Sequence, residues 1–326
     1  MTGRHFGFAR HRNTLASVGG HAPNACYPSD RSLMRRPILL AAFWLFATPA
    51  LAAPVSLDTF LAQPQPAPDA TISYGAMPVQ AIDLYLPKTA GPHPVVILIH
   101  GGCWVKRIPG REQLRVLSAD LAKRGFAVWS IGYRRADEDG GAYPGIFQDV
   151  AKAVDLLPAN VAKYRLDTSR VVAVGHSAGA HLALWASARG KLPRTSPTYV
   201  PNPFPIRTVI GLGGVGDLER ATGLPSVCGP IMRSVVGQPS AARPDVYSDT
   251  SPSRLLPNGV KTIMITGAVD RTTPTAYAQT YVDEVKAAGG AAELVIVPDA
   301  AHFDVVTTSA PAWKLVTERI TTALKK

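Results

Sequence analysis

A serine between two glycines is the residue of this chain best placed for covalent chemistry. Residues 175–179 read Gly-His-Ser-Ala-Gly, directly after the apolar run 171–174 and directly before a helical stretch that begins at Ala178. Between a strand and a helix, this G-x-S-x-G pattern is typical of a sharp turn that strains the serine backbone and projects its hydroxyl. The pattern predicts that Ser177 is a nucleophile, and the alternative is a serine with only a structural role in the turn.

A base and an acid follow later strands in the order that this chemistry requires. Asp270 comes after the apolar run 262–266, and His302 comes after the last such run, 293–297. A serine hydroxyl is a weak nucleophile unless a base removes its proton during attack, and imidazole suits that transfer near neutral pH. A carboxylate on the other ring nitrogen would fix the tautomer of the histidine and stabilise the imidazolium. The order Ser177, Asp270, His302 therefore predicts a catalytic triad.

Two other histidines are rivals for the role of base. His176 adjoins Ser177, and we expect its side chain to point away across the turn. His181 lies one helical turn beyond Ser177, and we expect it to be a packed core residue. His302 therefore remains the predicted base.

Three other acids are rivals for the role of Asp270, namely Asp217, Asp299 and Asp304. Asp217 follows a different strand, and we expect it to cap a loop. Asp304 is too near His302 in the chain to reach round the ring easily. The position of Asp270 after a strand and before His302 favours it over all three.

A second glycine-rich turn, His-Gly-Gly-Cys-Trp at residues 100–104, follows another apolar run. Acyl transfer develops negative charge on the carbonyl oxygen, and preorganised backbone N–H groups stabilise that charge. Glycine lets the backbone approach a substrate closely. We therefore predict an oxyanion hole from the N–H groups of Gly102 or Cys103 and of Ala178, with Gly101 in the same turn. A simple Gly-Gly turn is the alternative.

Apolar runs and helical stretches alternate along the chain and predict the elements that position these residues. The runs that read as strands buried on both faces are 95–99, 127–131, 171–174, 208–212, 262–266 and 293–297. The helical stretches are 112–124, 147–157, 178–189, 275–288 and 312–324. Residues 71–75 and 80–86 alternate apolar and polar like an antiparallel pair. This order predicts an α/β fold with a mostly parallel, doubly wound sheet and helices on both faces.

The predicted sheet gathers the candidate residues at one edge, because ligands of doubly wound sheets bind at the carboxyl ends of the strands. Two segments break the alternation of strand and helix. Residues 191–205 hold five prolines, and residues 219–249 carry mixed loop and helix signals. We expect these two segments to form the walls of the substrate pocket, and their sequences do not indicate which substrate fits.

The N-terminal region has the pattern of a secretory signal peptide. Arg35 and Arg36 precede a nine-residue apolar run at 38–46, and small residues lead to the triplet Ala-Leu-Ala at 50–52. A positive flank, a short apolar segment and an A-x-A site are typical of a cleaved signal. The apolar run is shorter than the roughly 20 residues that span a bilayer. We expect export to the periplasm or the medium, cleavage near Ala52 and no stable membrane anchor.

The predicted division of the chain has three parts. Residues 1–52 are an N-terminal extension plus the signal peptide 34–52, residues 53–70 are a Pro-rich arm, and residues 71–326 are the α/β domain. Without residues 1–52 the formal charge falls from +11 to +6, with 28 basic and 22 acidic residues remaining. Because the remaining sequence has no Lys/Arg run interleaved with aromatic residues, we expect no nucleic-acid partner.

The cysteines and potential metal ligands are sparse. Cys103 and Cys228 are the two cysteines that remain after processing. Export permits a disulfide between them, but the place of Cys103 inside the glycine-rich turn disfavours the pairing, which stays open. We expect the Cys103 side chain to be a small packed residue rather than a nucleophile. The sequence has no C-x-x-C or H-E-x-x-H motif and no clustered carboxylates, so we expect neither a metal nor another cofactor.

Together these residues resemble the esterase and deacylase branch of the α/β-hydrolases, which includes acetyl and feruloyl esterases, carboxylesterases and kynurenine formamidase. The matching motifs are Asp-Leu-Tyr-Leu-Pro at 83–87, His-Gly-Gly at 100–102, Gly-Tyr-Arg at 132–134, Tyr-Pro at 143–144, Asp149, the serine turn, Ser-Pro at 251–252, Asp270 and His302. The sequence departs from the branch at Cys103, where Gly or Tyr is more usual, and at Ala301, where Gly is more usual.

This resemblance implies hydrolysis of carboxylic esters with small or medium acyl groups through an acyl-serine intermediate. A small-molecule ester is then the expected partner of the site, and the oligomeric state stays open. The alternatives are a serine peptidase, an amidase of the arylformamidase type, and a catalytically silent α/β-hydrolase that only binds. A peptidase of the prolyl-oligopeptidase type usually needs a gating domain, which this chain length does not accommodate.

Overall fold

The computed structural model describes residues 53–222 and 228–325. The strands are β1 Ala70–Ser73, β2 Ala81–Tyr85, β3 His93–Ile99, β4 Ala127–Ile131, β5 Leu166–His176, β6 Thr208–Leu212, β7 Lys261–Gly267 and β8 Ala292–Val297. The helices are α1 Leu57–Leu61, α2 Arg115–Lys123, α3 Gly145–Asp155, α4 Val161–Tyr164, α5 Ala178–Ala188, α6 Leu218–Thr222, α7 Ile231–Val236, α8 Thr275–Ala287 and α9 Pro311–Leu324. The predicted strands and helices are present, with ends shifted by at most a few residues except at β5, which starts earlier.

The strands form one eight-stranded sheet in the order β1-β2-β4-β3-β5-β6-β7-β8. The β1–β2 and β2–β4 pairs are antiparallel, and the other pairs, from β4 through β8, are parallel. The antiparallel pair predicted from alternating residues is therefore β1 and β2, at one edge of the sheet. The α/β fold with a mostly parallel sheet is confirmed.

The central strands are apolar on both faces because each face packs under helices. In β3, Val95, Ile97 and Ile99 belong to one buried cluster, while Val96 and Leu98 belong to the other. Helix α5 continues this burial, with every residue from Ala178 to Ala188 buried except Ser187. This packing explains why the strands read as continuous apolar runs in the sequence.

The buried carboxylate of Asp249 contacts residues from both irregular segments, 191–205 and 219–249. Asp249 is 2% exposed and accepts hydrogen bonds from Tyr143 Oη at 2.6 Å and Ser196 Oγ at 2.7 Å. Arg243 forms an ion pair with the same carboxylate at 2.6 Å. These contacts join Ser196 and Arg243 to Tyr143, which lies two residues before helix α3. The buried charge of Asp249 is thus satisfied by several partners.

Candidate active site

The predicted nucleophile lies in a strained turn at the carboxyl end of the central strand. Ser177 follows β5, precedes α5 and has φ 54° and ψ −121°, a combination that costs a non-glycine residue about 1–3 kcal/mol. Its backbone N–H donates to Leu212 O at 2.8 Å, at the end of β6. The side chain is largely buried and lines a pocket. The fold therefore directs this hydroxyl into a cavity at the strand ends.

The two glycines of the serine turn are required by close backbone contacts. A Cβ atom on Gly179 would overlap the carbonyl oxygens of Ile99 and His100, and one on Gly175 would overlap Gly179 O. These contacts let helix α5 pass directly over the end of β3. The glycines therefore set the distance between the serine turn and the second glycine-rich turn.

Substitution of Gly179 by alanine is expected to lower the free energy of unfolding by about 1–3 kcal/mol, because carbonyl oxygens of the backbone cannot move aside as a flexible side chain can. Denaturant unfolding measures the difference. Gly190→Ala is the matched control, since a Cβ there meets nothing within 4 Å. Equal stability of the two variants would contradict the proposed overlap.

Asp270 and His302 are in direct contact. The Oδ2 atom of Asp270 lies 2.8 Å from His302 Nδ1, and both residues are at most 6% exposed. The other oxygen, Oδ1, accepts hydrogen bonds from the N–H groups of Thr272 at 2.8 Å and Thr273 at 2.9 Å. Burial by itself would raise the pKa of Asp270, but the hydrogen bond from His302 and those from Thr273 lower it overall. The acid therefore stays ionised beside the imidazole.

Two residues that the sequence analysis missed complete this contact. Thr273 Oγ1 lies 3.0 Å from Asp270 Oδ2 and 2.8 Å from Gly213 O. A Cβ on Gly213 would lie only 3.1 Å from both Asp270 Oδ2 and His302 Nδ1. Gly213 directly follows β6 and has φ 50°, so a side chain there would be strained and would crowd the acid and the base. The Asp-Arg-Thr-Thr sequence after β7 is the local signal that could have identified Thr273, because a Thr soon after an Asp favours such a turn.

The rival histidines are engaged elsewhere. His176 Nε2 lies 3.0 Å from His302 O, and the two imidazole rings are 4.6 Å apart. His181 Nε2 lies 2.8 Å from Thr250 O in the core. Burial lowers the pKa of His176 to about 3 and that of His181 to about 4, so both stay neutral. Both ring nitrogens that face carbonyl oxygens must therefore be donors.

The rival acids also have other partners. Asp217 accepts a hydrogen bond from the N–H of Arg220 at 3.1 Å and so caps the start of α6. Asp304 Oδ2 accepts from the N–H groups of Ala301 at 2.9 Å and Val55 at 3.2 Å. Asp299 is an exposed turn residue with φ 58°. Asp270 is the acid that the structure brings to His302 Nδ1.

The second glycine-rich turn lies against the serine turn. A Cβ on Gly101 would be 2.8 Å from His176 O and 3.0 Å from Ser177 Cβ. Gly102, Cys103 and Trp104 all have positive φ, at 109°, 50° and 54°. Three consecutive residues in this region form an unusual backbone that the surroundings must hold in place.

The first residues of this turn are fixed by a tyrosine. Tyr133 Oη donates to His100 O at 2.7 Å, and the two rings stack with centroids 4.2 Å apart. Ala178, the fourth predicted oxyanion residue, is the first residue of α5, where a backbone N–H has no partner within the helix. The predicted residues Gly101 and Ala178 thus both adjoin Ser177.

The disulfide that the sequence disfavoured but left open is present. Cys103 and Cys228 form a disulfide with their Cα atoms 5.1 Å apart and 125 positions apart in sequence. No local pattern brings them together, because Cys228 lies between α6 and α7 in the irregular segment. The bond ties the glycine-rich turn to a wall of the pocket, since Cys228 is one of the pocket residues.

Loss of this bond is expected to lower stability by about 2–4 kcal/mol, the usual range for a disulfide that closes a long loop. It is also expected to reduce activity, because the turn with three positive φ angles loses its anchor. Thermal unfolding and ester hydrolysis of Cys103→Ala and of the double variant Cys103→Ala/Cys228→Ala measure both effects. The single and double variants should behave alike, and wild-type stability in either would contradict a formed disulfide.

The pocket beside Ser177 is small and mostly apolar. Its volume is about 90 Å³, less than the roughly 150 Å³ of a cavity that holds benzene. The lining residues are Trp104, Ser177, Ala178, Val215, Ala221, Cys228, Met232, Arg271, Thr272, Thr273, Pro274 and Tyr277. No acidic side chain is among these described lining residues. Arg271 is the one charged side chain among them, and the volume leaves room for only a small group.

The described part of the chain offers neither a metal centre nor a membrane helix. Within residues 53–222 and 228–325, no three His, Cys, Asp or Glu side chains are grouped so that they could hold a metal ion. None of the helices in the same ranges is long and apolar enough to cross a bilayer. The signal peptide predicted at 34–52 lies outside the described residues.

Comparisons with known proteins agree with this geometry. The BD-FAE family model matches residues 82–284, well over half of the chain. Esterase LipC of Mycobacterium tuberculosis is 31% identical over 66% of this chain and 54% of its own length. A probable isoprenylcysteine alpha-carbonyl methylesterase of Oryza sativa subsp. japonica is 26% identical over 72% of this chain and 58% of its own length. The chain thus spans little more than half of these relatives.

Solved structures share the fold. A truncated carbohydrate esterase from gut microbiota superimposes with a TM-score of 0.65 and 22% identity, covering 80% of this chain and 98% of that one. A thermophilic esterase of Thermogutta terrifontis superimposes with a TM-score of 0.59 and 21% identity, covering 74% and 85%. The superpositions show that this chain shares its fold with both, and its strand order is that of an α/β-hydrolase.

Proposed function

Because the chain belongs to the BD-FAE family of α/β-hydrolases, we propose that it is a serine hydrolase that cleaves carboxylic esters through an acyl-serine intermediate. The observation that carries this proposal is the buried contact between Asp270 Oδ2 and His302 Nδ1, with His302 packed against His176, the residue that precedes Ser177. Esterases among the relatives with similar sequences support the same reaction class.

In the proposed reaction, the Ser177 hydroxyl oxygen attacks the ester carbonyl carbon while His302 Nε2 takes its proton. Asp270 keeps the remaining N–H on Nδ1 and stabilises the imidazolium. The carbonyl oxygen becomes an oxyanion and is stabilised by the N–H groups of Ala178 and of Gly102 or Cys103. Each such donor typically contributes about 3–4 kcal/mol of transition-state stabilisation.

The tetrahedral intermediate then expels the alcohol, which takes the proton from His302 and leaves an acyl group on Ser177. A water molecule gives a proton to His302 and attacks the acyl carbon, so that the second intermediate releases the carboxylic acid and restores the serine hydroxyl. No step needs a cofactor, because every transferred proton moves between Ser177, His302, the leaving alcohol and water, while Asp270 stays ionised.

The size of the pocket supports short acyl groups as substrates. A cavity of about 90 Å³ that is walled by Trp104, Val215 and Met232 favours acetyl to butyryl chains over long lipid chains. We expect kcat/KM for p-nitrophenyl esters to fall steeply between butyrate and octanoate. A maximum at the octanoate or a longer ester would contradict this choice of substrate class.

Export is the second part of the proposal. The signal peptide predicted at 34–52, with cleavage near Ala52, is consistent with the disulfide between Cys103 and Cys228, since such bonds persist in oxidising compartments. N-terminal sequencing of protein secreted by an expressing bacterium tests the cleavage site. An intact N-terminus at Met1 would contradict export by this signal.

Hydrolysis of p-nitrophenyl acetate and labelling by a fluorophosphonate test the central claim together. We expect turnover, and we expect mass spectrometry to find the label on Ser177. Folded protein that does neither would indicate a binding module instead of an enzyme. Faster cleavage of an aryl formamide than of the matched ester would indicate an amidase.

A further inference from the structure

A short segment before the sheet packs against the loop that carries His302. This segment, residues 55–61, is called the N-terminal strap below. Ser56 caps its helix α1 by accepting a hydrogen bond from the N–H of Thr59 at 3.1 Å, and Asp58 lies in the first turn. Serine at this position and an acid in the first turn are typical helix-start signals. Ser56 and Asp58 stabilise this single helical turn, in which the side chain of Phe60 is buried against the rest of the protein.

The strap contacts the His302 loop at two points. Phe60 is only 1% exposed, and its ring stacks on Phe303 with centroids 5.3 Å apart. The N–H of Val55 donates to Asp304 Oδ2 at 3.2 Å. The same oxygen accepts from the N–H of Ala301 at 2.9 Å. The strap therefore contacts Phe303 and Asp304, which follow His302 in the chain. Asp304 also links the strap to Ala301, the residue before His302.

The contacts of the strap extend to the imidazole through other rings. Phe303 packs edge-on against His302 with centroids 5.0 Å apart. The centroid of the His176 ring lies 4.6 Å from that of His302 and 6.2 Å from that of Phe60. His176 Nε2 also donates a hydrogen bond to His302 O at 3.0 Å. Phe60, His176, His302 and Phe303 thus form one aromatic cluster. A ring at each side restricts the rotation of the imidazole.

We propose that the N-terminal strap positions His302, with Phe60 acting through Phe303 and His176 to hold the imidazole in line with Ser177. Phe60 is a positioning residue, since it is separated from the imidazole by the rings of Phe303 and His176. The inference rests on the proposed function of His302 as base. Both the strap and the His302 loop lie outside residues 82–284, the part of the chain that the family model matches.

The test compares Phe60→Ala and Phe60→Leu in the otherwise unchanged chain, with p-nitrophenyl acetate as substrate and well below the melting temperature. Because a misplaced catalytic group costs rate rather than substrate affinity, kcat should fall about 10- to 100-fold in Phe60→Ala while KM stays within about twofold. Phe60→Leu fills most of the volume and should recover most of kcat. Val55→Pro, which removes the N–H donated to Asp304, should cause a smaller fall.

The matched control is Phe126→Ala, which removes a buried ring from the same core cluster as Phe60. It should lower the melting temperature without changing kcat. If Phe60→Ala lowers only the melting temperature, as Phe126→Ala does, the strap is merely structural and the proposal is overturned. If Phe60→Ala does not fold, Val55→Pro decides, and wild-type kcat in that variant overturns the proposal.

A second measurement separates this proposal from the proposed function. The proton shared by His302 Nδ1 and Asp270 gives a low-field NMR resonance whose exchange rate reports how firmly the ring is held, whether or not an ester turns over. Faster exchange in Phe60→Ala than in wild type and Phe126→Ala supports the strap even if the wild-type protein proves inactive toward esters. Equal exchange in all three overturns the strap and leaves the proposed function untouched.

Discussion

Replacing Ser177 with alanine is expected to abolish ester hydrolysis while the protein remains folded. The hydroxyl is the proposed attacking group, and the loss of a nucleophile of this kind lowers kcat by about 10⁶-fold. The variant keeps the Cβ atom, so the backbone at φ 54° changes little, and the N–H bond to Leu212 O persists. Steady-state kinetics and fluorophosphonate labelling should both fall to background, with a melting temperature close to that of the wild type.

Ser187→Ala is the matched control for this prediction. Ser187 lies on the same helix, α5, and its hydroxyl donates only to Leu184 O at 2.8 Å. Its removal should leave both kcat and labelling unchanged. Turnover at the parent rate in Ser177→Ala would show that another group is the nucleophile.

Replacing Asp270 with asparagine is expected to lower kcat by about 10⁴-fold without unfolding the protein. The N–H groups of Thr272 and Thr273 both donate to Oδ1, so the carbonyl end of the asparagine amide must stay on that side. The NH₂ end then faces His302 Nδ1 and donates to it. His302 would carry its own proton on Nε2, the atom that must accept the proton of Ser177.

The comparison variant is Asp217→Asn, which changes a rival acid that caps α6 and pairs with Arg220 at 3.5 Å. It should retain the parent kcat. A larger loss of kcat in Asp217→Asn than in Asp270→Asn would reverse the assignment of the acid. KM should change little in Asp270→Asn, since Asp270 is separated from the substrate by the imidazole.

Proteins with this fold place their reactive groups on the loops after the strands, and the geometry here follows that rule. The serine turn follows β5, the acid follows β7 and the imidazole follows β8. The parallel strands between them bring these loops to one edge of the sheet, although the residues span 126 positions. The rigid sheet therefore supplies the preorganisation that acyl transfer needs.

The sequence by itself determined the fold class and the positions of most strands and helices. Each buried strand is a continuous apolar run. Such a run can be recognised from its own residues alone, without knowledge of how the rest of the chain is arranged. The roles of Ser177, Asp270 and His302 stay predictions, but their places just past strands follow from the same local reading. The motif at 175–179 could be recognised because its glycines and serine lie within five consecutive residues.

Only the tertiary structure decided the features that join distant parts of the chain. The Cys103–Cys228 disulfide, the approach of Gly213 to the acid and base, and the stacking of Phe60 on Phe303 have no signal in any short segment. Each depends on how elements pack after the sheet has formed, and packing geometry is a property of the whole core. The pocket walls were predicted only in part. Ala221, Cys228 and Met232 come from the segment 219–249, but none of the described lining residues comes from 191–205, and residues 271–274 and Tyr277 line the pocket instead. Their place beside Ser177 depends on how the loops pack, which no local periodicity shows.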